Sequence, residues 1–325
     1  MFKRRLFTLA ALFAALAPTP GRAADGDYPS KPITIIVPYA PGGQGDFFAR
    51  LIGERLSVRL KQPVLVDNRP GATGALGARL VAKASPDGYT LLLGQTGEIA
   101  VNKFVVKQLG YDPLKDFRAV ALVADAPLVL AAPANAPFDT LQELVKVAKA
   151  RPGSITYASS GSATPGHLAA AAMALGMKAD MVHVPYKGAG QAMTDLLGGH
   201  VQMFFVSASA VMPQVKAGKL KALAVSTPAR AAGYPQVPTV AESGLPGFSF
   251  SLWGGLFAPA ATPDAIVNLL NQEVNAILAE PAIHARLEAD GSLVHKNTPA
   301  EFAKFVSIEA LKYEQLVRQT GISAE

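Results

Sequence analysis

The sequence predicts an α/β protein of two domains, and three observations predict it. Short apolar runs rich in Ile, Leu and Val alternate with helical patterns, as in βαβ units and a parallel sheet. Two separate blocks each place a glycine-containing turn between the end of a strand and the start of a helix. The chain has 325 residues and no cysteine, so it must stand on hydrophobic cores rather than on disulfides.

The elements follow in order. Lys3, Arg4 and Arg5 precede an apolar run, Leu6 to Ala17, of about 12 residues, too short to span a bilayer. Pro18 and Pro20 break it, and Gly21-Arg22-Ala23 offers a small-x-small cleavage site. Residues 1–23 therefore read as an export signal removed near Ala23, and the rest as a periplasmic protein. Arg4-Arg5-Leu6-Phe7 also fits a twin-arginine signal loosely, so the export route stays open. Four of the 30 basic residues (Lys3, Arg4, Arg5, Arg22) leave with the signal, so 26 face 24 acidic ones and the net charge falls from +6 to +2. With no basic stripe and no aromatic interleaving, a nucleic-acid partner is not expected. No thiol enzyme or cysteine-ligated metal site is possible, and no cofactor is expected.

Ile33 to Val37 reads as a buried strand. The helix after it sets Phe48, Leu51, Ile52, Leu56 and Leu60 on one face. Val64 to Val66 is a second strand, Asn68-Arg69-Pro70-Gly71 a turn, Gly74 to Ala84 a helix and Thr90 to Leu93 a third strand. The second block repeats this grammar. Phe138 to Ala150 is helical, with Thr140 and Glu143 in capping-box spacing. Ile155 to Ala158 is a strand, and Thr164 and Pro165 open a helix. Val182 to Val184 and Val201 to Val206 are strands flanking the helix Gln191 to Leu197. Val120 to Ala132 and Phe248 to Ala258 read as crossovers between the domains. The helices Pro263 to Leu278 and Thr298 to Thr320 complete the first domain. That gives domain 1 as residues 24–124 plus 250–325, and domain 2 as residues 125–249.

In parallel α/β sheets ligands sit outside the C-terminal strand ends. The turn Pro41-Gly42-Gly43-Gln44, ahead of Asp46, offers backbone N–H groups at a helix start, where an anion is favoured. The same residues also make an ordinary tight turn, and Asp46 reads as a cap before it reads as a contact. Ser159, Ser160, Gly161 and Thr164 are the facing candidates, with turn and cap chemistry as their plain alternative. Gly94-Gln95-Thr96-Gly97-Glu98 forms a third loop, with Thr96 placed to hydrogen-bond a ligand. Glu98 either points into the cleft, where it would demand a donor on the ligand, or caps the next helix in solvent. Tyr39 and Tyr186 are candidate walls, and Ser207 and Ser209 candidates at a strand end. Lys187 reads as a surface lysine, and His167 as a surface or packing residue.

The segments PYAPGGQGDFFARLIGERL, VDNRPGATGALGARLVAKASPDGYTLLLG, HVPYKGAGQAMTDLLGGHVQMFF, VPTVAESGLPGF and WGGLFAPAATP resemble the Bug family. These are the extracytoplasmic solute-binding proteins of tripartite tricarboxylate transporters. The resemblance implies a two-domain flytrap with a ligand cleft between the domains. It implies a small organic acid or amino acid as ligand and a membrane permease as partner, with the receptor a monomer. Three alternatives stand beside it: sensory input to a sensor kinase, a receptor for a neutral or zwitterionic amide, and an exported hydrolase. Against the last, Gly71-Ala72-Thr73-Gly74 lacks a dinucleotide fingerprint, there is no G-x-S-x-G elbow, and the five histidines are scattered.

Overall fold

The computed structural model describes residues 28–289 and 291–323. The export signal read in residues 1–23 lies outside them. The first block comprises β1 (Ile33–Val37), α1 (Gln44–Leu60), β2 (Val64–Asn68), α2 (Ala75–Ala82) and β3 (Thr90–Gln95). A π-helical turn, Gly97–Val101, runs into α3 (Asn102–Val105). The 17-residue strand β4 (Phe117–Pro133) leads to the second block. That block holds α4 (Leu141–Ala150), β5 (Ile155–Ser159), α5 (Pro165–Gly176), β6 (Met181–Pro185), α6 (Ala189–Leu197), β7 (Met203–Ser207), α7 (Ala208–Lys216) and β8 (Leu220–Val225). β9 (Ser251–Pro259) returns to the first block, followed by α8 (Asp264–Leu278), α9 (Pro281–Ala289) and α10 (Pro299–Thr320).

Among the described residues nine strands form one sheet, in the order β2-β1-β3-β9-β4-β7-β5-β6, with β8 also on β4. Its two ends are parallel, as the sequence predicts. Its middle is not. The two segments read as crossovers are strands that pair antiparallel with each other, from Phe117 opposite Pro259 to Pro127 opposite Ser251. Both are near-continuous apolar runs buried on both faces, and such runs carry no mark of strand direction.

β4 changes partners at a proline. Up to Pro127 it pairs with β9, and from Leu128 with β7 and β8. Pro127 has no N–H to give a ladder. The Leu128 N–H donates to Ser226 Oγ at 2.9 Å, and that hydroxyl donates to the Phe250 carbonyl at 2.6 Å. One buried serine therefore ties β4 to the start of β9. The bulge near Leu122 is satisfied by Asn297, which accepts from the Leu122 N–H and donates to its carbonyl, each at 2.9 Å.

The predicted faces pack as expected. Phe48, Leu51, Ile52 and Leu56 of α1 are buried against β1, β3 and α8. Thr140 caps α4 by accepting from the Glu143 N–H, so the helix starts at Leu141, three residues later than the sequence suggests. α10 opens on a full capping box between Thr298 and Glu301. In α5, Gly166 lets the helix lie against β7, since a Cβ there would sit 2.4 Å from the Phe205 carbonyl oxygen.

Candidate functional site

Three helices begin on one cavity of about 740 Å³ between the two halves of the sheet. α1 contributes Gly42 and Gly43, α5 contributes Thr164 and Pro165, and α6 contributes Gly188 and Ala189. Helix starts leave N–H groups unpaired and carry a partial positive charge. The polar side chains on the wall are Tyr39, Thr73, Asn102, Ser160, Ser162, Thr164 and Lys187. Among the described residues no carboxylate lines it.

The first loop is braced from behind. Asp46, 6 % exposed, accepts from the Gly42 N–H at 2.9 Å and from Arg50 at 3.0 Å. Arg50 also donates to Asn68 Oδ1, and Asn68 donates to the Tyr39 carbonyl. Burial pulls the Asp46 carboxyl up, but the hydrogen bonds from Arg50, Gly42 and Asn68 outweigh it and hold the group below the usual carboxylate range. Asp46 is thus a brace, and it occupies the Gly42 amide, which the sequence reading had offered to a ligand. Gly42 adopts φ +85°, a glycine conformation, whereas Gly43 is extended at φ −81°.

Glu98 fits neither predicted alternative. It is fully buried behind the wall, not in the cleft and not in solvent. Its carboxyl accepts from the Gln95 N–H at 2.5 Å and meets the Tyr39 hydroxyl at 2.7 Å. Burial pushes its pKa up to about 8, against the opposing pull of those hydrogen bonds. Tyr39 so fixed forms part of the wall, beside Gly97. Thr96 lies behind it, its hydroxyl spent on the Ser251 carbonyl.

On the facing side Ser160 and Thr164 reach the cavity, while Ser159 and Gly161 support them. Thr164 is at the N-cap, but its hydroxyl donates to the Gly161 carbonyl instead of capping α5. Ala163, in the left-handed region at φ 58°, donates its N–H to His167 Nδ1 at 2.9 Å. That makes the His167 ring neutral, and burial followed by the neighbouring His183 lowers its pKa to about 3. The two imidazoles stack at 3.6 Å between centroids, 13° apart in plane, with Tyr157 beyond His183.

Ser159 Oγ lies 2.7 Å from His183 Nε2. It is not an activated nucleophile. The hydroxyl is buried and donates to the Gly161 carbonyl at 2.9 Å, so the imidazole must be the donor of the pair. Tyr186 bonds Asp195 at 2.6 Å and is not on the wall, and Ser207 sits at the N-cap position of α7, without a capping hydrogen bond, off the cavity.

Sequence reasoning missed several wall residues. Ala72 and Thr73 both take left-handed φ values (48° and 51°), which swings Thr73 onto the cavity, and Asn102 Nδ2 holds its carbonyl at 2.9 Å. Nothing local in the sequence signals that turn. α6 was findable, because Lys187-Gly188-Ala189-Gly190 repeats the strand, glycine, helix grammar of the other two loops.

A braced cleft that collects helix starts between two halves of a sheet is the architecture of the two-lobed periplasmic binding class. The chain belongs to the tripartite tricarboxylate transporter family receptors, whose profile matches residues 48–322. It is 36 % identical to Protein BugT of Bordetella pertussis over 318 residues, 98 % of each chain. Among solved structures it resembles Rpa4515 of R. palustris with adipate (33 % identity, TM-score 0.84, 91 % of this chain and 99 % of that one). It also resembles MatC of Rhodopseudomonas palustris with bound malate (34 % identity, TM-score 0.79, 89 % and 99 %). The family is one of transporter receptors.

Proposed function

We propose that this receptor, once exported and freed of residues 1–23, captures a small carboxylate in the periplasm as a monomer and presents it to the permease of a tripartite tricarboxylate transporter. The observation that carries the reading is the wall itself: three helix starts and Lys187, with no acidic side chain among the described residues. Such a wall favours negative charge. Glu98 behind Tyr39 offers an ammonium nothing, which argues against an amino acid or other zwitterion.

Lobe 1 is residues 24–124 plus 250–325 and lobe 2 is residues 125–249. The α1 loop with Tyr39 and Gly43 belongs to the first, and Ser160, Thr164 and the α6 start to the second. A carboxylate held from both sides favours the closed form, because the open form keeps only one set of contacts. Converting a mostly open to a mostly closed population needs roughly 5 kcal/mol of differential affinity. Two or three charge-assisted hydrogen bonds of about 1.5–3 kcal/mol each supply that.

Gly43→Val tests the site. A Cβ at Gly43 meets nothing nearer than the Ala40 carbonyl at 3.7 Å, and the backbone is extended, so the variant should fold. Its side chain should block approach to the α1 amides. Titration calorimetry against adipate, malate and related carboxylates should show binding in the wild type and loss of a hundredfold or more in the variant. Unchanged affinity removes the α1 loop from the site. Copurification with a sensor kinase instead of a permease would redirect the proposed partner.

A further inference from the structure

The turn from Gly71 to Gly74 runs through four residues of positive φ, at 138°, 48°, 51° and 88°. Glycine takes such values freely, but Ala72 and Thr73 do not. Thr73 is the harder case, because a β-branched side chain in the left-handed region is a genuine outlier. The winding is held from behind. Asn102, 3 % exposed, donates from Nδ2 to the Thr73 carbonyl at 2.9 Å, and the Tyr39 hydroxyl lies 3.3 Å from the same oxygen. Both contacts are to the main chain and would hold a glycine equally well. The neighbouring glycines have a steric reason: a Cβ on Gly74 or Gly97 would sit 3.0 Å or 2.6 Å from the Tyr39 hydroxyl oxygen. Thr73 instead is exposed and stands on the cavity wall. Backbone strain of this kind gathers where a ligand is held.

What the side chain brings to the wall follows from its bonds. The hydroxyl donates to the Ala72 carbonyl at 2.7 Å and lies 3.3 Å from Asn102 Oδ1, so its proton is spent on the turn. Its lone pairs suit a donor, which an ionised carboxylate lacks. The methyl remains. With Tyr39, Ala40 and Pro41 it adds apolar surface to the lobe 1 wall, whereas the lobe 2 wall carries hydroxyls and Lys187. We propose that Thr73 is a specificity-determining residue of the cleft: its methyl is a contact for the hydrocarbon body of the bound anion, so that the receptor ranks anions of equal charge by the apolar chain between their charged ends. The inference rests on the carboxylate reading above. It also gives the strain a use, since the left-handed turn is what brings a side chain to the wall between glycines.

Succinate, glutarate and adipate test it, because they share two carboxylates and differ only in methylenes. Titration calorimetry on the full mature protein gives the affinities. The wild type should bind adipate more tightly than succinate by about tenfold or more. Thr73→Gly should weaken adipate by roughly three- to tenfold, as losing about one buried methyl contact would, and succinate by less than about twofold. Its urea midpoint should stay level or rise, because glycine takes the left-handed turn without strain. Thr73→Ser, which keeps the hydroxyl, should follow Thr73→Gly in affinity, and Thr73→Val, which keeps a methyl, should follow the wild type. A crystal structure with adipate supplies a second readout, a ligand carbon within about 4.5 Å of the Thr73 methyl. A preference that survives in Thr73→Gly and Thr73→Ser overturns the inference, and one lost in Thr73→Val alone gives the contact to the hydroxyl and overturns it too. A lowered midpoint in Thr73→Gly shows that the side chain serves the turn and not the guest. A wild type that binds all three equally overturns this inference alone. A wild type that binds neither these nor malate overturns the carboxylate reading and this inference with it.

Discussion

The buried Glu98 makes the stability of this receptor fall as pH rises, and Glu98→Gln should abolish that part of the slope. The carboxyl titrates ordinarily at 4.5 and is raised to about 8 in the fold by burial. Between those values the folded chain keeps a proton that the unfolded chain releases. The stabilisation is therefore fully present below pH 4.5 and is lost as pH climbs through 8. Each pH unit in the window removes about 1.4 kcal/mol, so this group costs the fold roughly 3 kcal/mol by pH 7 and roughly 5 kcal/mol by pH 8.

Glutamine preserves the neutral arrangement. Its oxygen can accept from the Gln95 N–H, its amide can donate to Tyr39 Oη, and the tyrosine proton can turn to the Thr73 carbonyl, 3.3 Å away. The assay is urea unfolding at half-unit steps from pH 5 to 8.5, followed by the fluorescence of Trp253. This is the only tryptophan in the chain, and it is wholly buried. Asp125, raised to about 6 by burial, tilts both proteins the same way and cancels in the difference. The variant should gain on the wild type by roughly 3–5 kcal/mol across the range. Parallel curves would mean that Glu98 is charged in the fold, and the reasoning about the wall would fail with it. Above pH 8 the wild type should also lose affinity for its anion, as charge appears behind Tyr39, while the variant should not.

Two further outcomes follow from the second loop and its helix. His167→Leu strands the buried Ala163 N–H and should cost about 1–3 kcal/mol at pH 7; the neutral ring stabilises fully above pH 6.5 and loses that contribution as pH falls toward 3, so the variant should show a shallower acid limb in urea unfolding than the wild type, whereas His167→Gln, which can still accept from Ala163, should recover most of the lost stability at pH 7. Gly166→Ala drives a Cβ to 2.4 Å from the Phe205 carbonyl oxygen and should cost about 1–3 kcal/mol through a forced shift of α5, and an unchanged urea midpoint would show that α5 and β7 are not in close register there.

Much of the fold was legible, and the reason varies by element. Ile33–Val37 and the face of α1 follow from periodicity alone, since burial on one side leaves a direct imprint on the pattern. The antiparallel middle was not legible, because β4 and β9 are buried on both faces and read as featureless apolar runs. At the site the two glycine loops were visible and meet on one cavity, but the polar residues around them were not sorted. Ser159, Thr96 and Glu98 stand next to cleft residues in sequence and behind them in space. A polar side chain beside a glycine turn looks the same whether it touches a guest or holds the turn in place. Thr73 and Asn102 reach the wall through a left-handed turn of non-glycine residues, which no composition rule marks.

That division has a consequence for how such a receptor changes its ligand. The charged end of the guest is met, on the reading proposed above, by helix starts whose amides are present whatever the side chains, and whose aim is fixed by Asp46, Glu98 and His167. Altering those props disturbs stability and loop position together. The wall groups Thr73, Ser162 and Lys187 should be exchangeable at far smaller cost to the fold, because each sits in a turn or in a loop at the end of a strand. The seam between the two halves of the sheet stands apart from both: β4 changes partners after Pro127, and the Ser226 hydroxyl accepts from the Leu128 N–H and donates to the Phe250 carbonyl.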